Sequence, residues 1–76
     1  MSIADKMFED LTYGKEENDY TINYWSNSKQ KMITLSKREH EFYISSFKDK
    51  NTPRPYTIIE PGEFRAMAQK LKEMEG

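Results

Sequence analysis

Apolar residues near the start of the chain recur at helical spacing, with Ile3, Met7, Phe8 and Leu11 sharing one face. Ser2 stands ahead of them as an N-cap, Asp5 answers it three residues on, and Gly14 supplies a stop. The pattern predicts a short helix within residues 1–14. About ten helical residues are marginal alone in water, so this helix needs something to dock on. Residues 15–19 follow as an acidic, polar connector.

At Tyr20 the period changes to two. Tyr20, Ile22 and Tyr24 alternate with Thr21, Asn23 and Trp25, a mixture of β-branched and aromatic side chains suited to a half-buried strand. Residues 26–30 read as a turn and residues 32–37 as a second strand, with Ile33 and Leu35 on one face. A turn over residues 38–41 leads to a third strand over residues 42–48, where Phe42, Ile44 and Ser46 oppose Tyr43, Ser45 and Phe47. Pro53 and Pro55 flank Arg54 in a polar loop, and residues 56–59 complete a four-stranded antiparallel meander spanning residues 20–59.

Pro61, between Glu60 and Glu63, then opens a C-terminal helix over residues 61–75, the acids sitting at the positive end of its dipole. Phe64, Met67, Leu71 and Met74 make one apolar stripe, expected to pack on one sheet face. The expectation is a single α+β domain over residues 1–76: short N-terminal helix, meander, amphipathic closing helix.

Composition limits what such a domain can be. In 76 residues, 36% hydrophobic and 33% charged with mean hydropathy -0.99, the core must be thin. There is no cysteine, which removes disulfides, thiol nucleophiles and thiolate metal sites. No stretch approaches the roughly 20 apolar residues of a membrane span, and the N-terminal residues lack a secretion-signal layout, so the expected compartment is the cytoplasm. His40, the one histidine, lies in a turn between Glu39 and Glu41; a Ser36 and His40 pair lacks an orienting group and an oxyanion site. The acid pairs Glu9-Asp10 and Glu16-Glu17 read as solvated, and no glycine-rich phosphate cradle occurs. Catalytic residues, cofactor and metal are all expected to be none.

Net charge is -1, yet residues 1–27 hold two Lys against six acids, residues 28–54 seven Lys and Arg against three, and residues 55–76 three against four. A basic middle third can steer a polyanion to one face. If Tyr20, Ile22, Ile33, Leu35, Phe42 and Ile44 face the C-terminal helix, alternation puts Trp25, Tyr43 and Phe47 on the opposite face among small polar residues. Aromatic rings there can stack bases, at roughly 1–3 kcal/mol each, while nearby cations track phosphates. The candidate nucleic-acid-binding residues are therefore Trp25, Lys29, Lys31, Lys37, Arg38, Tyr43, Phe47, Lys48, Lys50 and Arg54. Two other readings stay open for that face: cover by the N-terminal helix, or by a second subunit.

The strand of residues 42–48, the basic loop after it, the run Tyr56-Thr57-Ile58-Ile59-Glu60-Pro61-Gly62-Glu63-Phe64 and the helix through Leu71 resemble the positive cofactor four family of transcriptional coactivators and its bacterial and phage relatives. The resemblance covers residues 42–74 and implies a homodimer that binds single-stranded or melted DNA. Tyr43, Phe47, Lys48, Lys50 and Arg54 would face the strand. The rival expectation is a small phage or accessory protein-interaction module that binds and modulates a larger cellular protein.

Overall fold

The computed structural model describes residues 2–49 and 51–75, so the candidate residue Lys50 lies outside the described residues. Its elements are α1 (Ile3–Asp10), β1 (Gly14–Glu17), β2 (Thr21–Ser26), β3 (Lys31–Ser36), β4 (Phe42–Asp49), β5 (Thr52–Pro53) and α2 (Pro61–Glu75). The strands form one antiparallel meander in the order β1-β2-β3-β4-β5. The class is α+β with five strands, not four.

The capping expected of α1 is present, the Ser2 hydroxyl accepting from the Asp5 N–H at 2.9 Å. The helix stops before Gly14, however, at Asp10, where Leu11 caps it and Thr12 turns the chain with φ 75°. Gly14 instead opens β1, a strand whose Lys15, Glu16 and Glu17 disguise it as a connector. Asn18 then makes a tight turn: its Oδ1 accepts from the N–H groups of Tyr20 and Thr21, both at 2.8 Å, and its own N–H donates to the Thr21 carbonyl. Tyr20 is thus a turn residue, 79% exposed, and does not join the buried face expected of it.

Ile22 and Tyr24 of β2, Ile33 and Leu35 of β3, Phe8 of α1, Tyr13, and Ala66 and Met67 of α2 form one buried cluster. Phe42 and Ile44 of β4 lie against it, half-buried. Phe8 stacks on Tyr24 with centroids 3.9 Å apart and meets Tyr13 edge-on at 5.7 Å. The two helices are tied together, the Glu73 carboxylate accepting from the Ala4 N–H at 2.8 Å and Lys70 pairing with Asp5 at 3.2 Å.

Two further expectations fail on α2 and its approach. The inward residues of α2 are Glu63, Ala66, Met67 and Lys70, with Leu71 and Met74 half-buried, while Phe64 is 64% exposed. Glu63 displaces Phe64 because its carboxylate is used inside: it accepts from the Glu60 N–H, capping the helix, from Lys31 and from the Tyr13 hydroxyl. Residues 56–59 are not a strand, and Tyr56, Ile58 and Ile59 are exposed. The partner strand for β4 is instead β5, with Phe47 opposite Pro53 and Asp49 opposite Thr52. Ser46 holds the chain beyond it, donating to the Tyr56 carbonyl at 3.2 Å and sharing a hydrogen bond with Thr57 at 3.0 Å.

Candidate nucleic-acid interface

Alternation along the strands sends Ile22, Tyr24, Ile33 and Leu35 to the buried cluster and the residues between them to the opposite face. Register sets out that second face in rows. Gly14, Trp25, Met32 and Ser45 form one row, and Glu16, Asn23, Thr34 and Tyr43 the next. Trp25 is 39% exposed and Tyr43 55%, with Met32 also exposed and Phe47 half-buried beside Pro53. Among the described residues no helix covers these rings, so neither the N-terminal helix nor α2 takes the place left open for a cover.

Gly14 sets the position of the indole. A Cβ built there would lie 2.8 Å from Trp25 Cζ2, so the ring lies against the edge strand where only a glycine leaves room. Polar side chains fill the space between the rings. Thr34 donates to Asn23 Oδ1 at 2.8 Å, and the Asn23 amide reaches Thr21 at 3.3 Å. The Tyr43 hydroxyl donates to Glu41 at 3.0 Å, and that hydrogen bond pushes its ionisation up. At the hairpin end an open pocket of about 570 Å³ is lined by Trp25, Met32 and Phe47 with Asn27, Gln30 and Asp49. Met32 was not singled out from the sequence, although the alternation that placed Trp25 outward placed it there too.

The cations divide. Lys31 turns inward, its side chain 9% exposed, and pairs with Glu63 at 2.7 Å. Lys29 pairs with Glu60 at 3.0 Å and Lys37 with Glu17 at 2.7 Å. These three are held by carboxylates from the first and last thirds of the chain, which linear charge counting could not foresee. Arg38, Lys48 and Arg54 are exposed and make no ion pair among the described residues, although Arg54 Nε donates to the Phe47 carbonyl at 3.2 Å.

Two carboxylates on the buried side are bound alike. Asp5 accepts from Tyr24 at 2.6 Å, Lys15 at 2.7 Å and Lys70 at 3.2 Å; Glu63 accepts from Tyr13 at 2.6 Å and Lys31 at 2.7 Å. Burial pushes both acids up, but these donors outweigh it and hold each below the ordinary carboxylate range. The tyrosines move the other way, raised by burial and by the carboxylates they serve. Among the described residues no buried side-chain nitrogen or oxygen lacks a hydrogen-bond partner, so both clusters read as structural anchors.

His40 sits exposed in the β3–β4 turn at φ 57°, its N–H donating to the Ser36 carbonyl. Among the described residues no group of three or more acidic or histidine side chains is placed to hold a metal ion, and no helix is long and apolar enough to cross a membrane. Comparison with family models, with curated proteins and with solved structures finds no match.

Proposed function

We propose that this is a non-enzymatic domain that binds single-stranded nucleic acid on the sheet face carrying Trp25, Tyr43 and Phe47, with α2 packed across the other face. The observation that carries the reading is the exposure of Trp25 and Tyr43 among Asn23, Thr34, Ser45 and Met32, with Phe47 half-buried beside Pro53 at the end of the same face. Bases stack on such rings with little regard to sequence, and the hydroxyl and amide groups between them can hydrogen-bond base edges. Arg38, Lys48 and Arg54 are the phosphate contacts. Lys29, Lys31 and Lys37 serve the fold instead. The resemblance over residues 42–74 points to the same ligand class.

Titrating a single-stranded oligonucleotide at two salt concentrations tests this. Trp25, the one tryptophan, is expected to lose emission on stacking. An unchanged Trp25 signal and unchanged anisotropy at low salt overturn the proposal.

A second reading is a small accessory module that docks on a larger protein. Its support is the exposure of Tyr56, Ile58, Ile59 and Phe64, apolar residues separate from the aromatic face. Replacing Ile58 and Phe64 by Ser discriminates, because oligonucleotide binding should survive it and protein docking should not.

A further inference from the structure

We infer that the pocket at the β2–β3 hairpin end takes a guanine base, Asp49 accepting from its N1–H and N2–H groups and Gln30 donating to its O6. The inference rests on the single-strand reading and adds a preference to a face that otherwise stacks any base.

The pocket, about 570 Å³, is of the size that holds small ligands, and Trp25, Met32 and Phe47 give it apolar surface on which a ring can lie. Its charge separates it from the rest of the face. Of the two charged residues that line it, Lys31 turns its ammonium away to Glu63 at 2.7 Å, so the charge left to an occupant is the Asp49 carboxylate. A carboxylate repels phosphate and can only accept hydrogen bonds. The part of a nucleotide that suits this pocket is therefore the base, and a base that offers donors.

Base edges divide on that requirement. Guanine presents two adjacent donors, N1–H and N2–H, to the two oxygens of a carboxylate, with its O6 acceptor beside them. Adenine and cytosine each set a ring-nitrogen acceptor next to the amino group, and thymine and uracil flank one N–H with two carbonyls. Each of these turns a lone pair toward the carboxylate. A neighbouring amide donor completes the guanine match, and Gln30 is placed to supply it. Its carbonyl accepts from the Phe47 N–H at 2.9 Å, which sets it beside the stretch of β4 that ends at Asp49.

The backbone at Gln30 is a separate observation in favour. Its φ is 54°, in the left-handed region where a residue with a Cβ is strained and glycine is not. Glycine could hold the same turn and the same carbonyl bond, so what a glutamine adds there is its exposed side chain at the pocket. The surroundings are set in advance. Ser26 shares hydrogen bonds with Thr12 at 3.0 Å and Ser28 at 3.2 Å and accepts from the Lys29 N–H at 3.3 Å, which braces the turn. Asp49 Oδ1 accepts from the Asn51 N–H at 2.9 Å, a bond that holds the carboxyl below its ordinary range and leaves it further lone pairs for a base.

Trp25 emission and anisotropy can compare three probes: an oligothymidylate, the same strand with one central guanine, and guanosine monophosphate alone. The guanine strand is expected to bind at least about five-fold tighter than the oligothymidylate, the lower end of what a good bidentate contact discriminates. Asp49→Asn keeps the turn through its Oδ1 but opposes an N–H to guanine N1–H. It should tighten the oligothymidylate by removing a negative charge and abolish the guanine preference. Equal tightening of both strands would make Asp49 a bystander acid and overturns the inference. Gln30→Gly, which relieves the backbone, should narrow the preference, and a preference left intact overturns the role given to Gln30. Equal affinity of the unmodified protein for the two strands overturns the guanine pocket and leaves single-strand binding standing. If neither strand binds at low salt while the monophosphate quenches Trp25 in the unmodified protein and not in Asp49→Asn, the base comes from a free nucleotide and the single-strand reading falls. No response to any of the three probes overturns both.

Discussion

Glu63 shows how much of this fold rests on single polar side chains. Its carboxylate, 1% exposed as a residue, closes the N-terminus of α2 and neutralises Lys31 from β3. Removing one member of a buried pair strands the other, so Lys31→Met should destabilise the protein by about 3–5 kcal/mol, whereas the double change Lys31→Met with Glu63→Leu should be much milder. Urea unfolding of the single and double variants measures this, and equal losses would argue against the pairing. The same contacts set a pH window. Asp5 and Glu63 are depressed in the folded state, so the stability they add is present above the unfolded carboxylate value of about 4 and is lost as pH falls below it. Tyr13 and Tyr24 are raised, so theirs is present below the unfolded phenol value of about 10 and is lost as pH climbs past it. The urea midpoint should hold across neutral pH and fall on both sides. Asp5→Asn should flatten the acid limb.

At the scale of elements, α2 separates what a hydrophobic pattern can say from what it cannot. Met67 is buried and Phe64, three positions earlier in the same apolar stripe, faces out. Met67→Ala should therefore cost about 2–5 kcal/mol, while Phe64→Ser should stay within about 0.5 kcal/mol. A thermal melt in which Phe64→Ser is the worse of the two would contradict the observed helix register. Both helices, the strands β2, β3 and β4, and the outward placing of Trp25, Tyr43 and Phe47 were legible in the sequence, because period and alternation carry them. Three things were not. The inward turn of Glu63 and Lys70 was hidden because a stripe read from apolar residues omits ions that are buried in pairs. Edge strand β1 was hidden because its Lys15-Glu16-Glu17 run suits solvent, and its pairing comes from β2. Residues 56–59 have the composition of a strand without the neighbour one needs, since β5 already occupies the adjoining end of β4.

For the molecule as a whole, the fold largely closes the charge segregation of the sequence. The basic middle third is laid against acids from either side: Lys37 on Glu17, Lys29 on Glu60 and Lys31 on Glu63. A run that reads as a polyanion site is thus partly a set of internal ties, and Glu16 and Glu41 add negative charge beside Asn23 and Tyr43. The proposed interface consequently depends more on stacking than on phosphate neutralisation. For single strands the logarithm of the binding constant falls with the logarithm of salt with a slope of about -0.7 per phosphate contact, so Arg38, Lys48 and Arg54 together predict a slope near -2. Engagement of all seven cations of residues 28–54 would bring it to about -5. Titrations at several salt concentrations separate these cases. Arg38→Ala or Lys48→Ala should each make the slope shallower by about 0.7, whereas Tyr43→Ala should weaken binding about equally at every salt concentration by removing a stacking surface. A slope near -5 in the unmodified protein would mean that the lysine ties open when the strand binds, and would return Lys29, Lys31 and Lys37 to the interface.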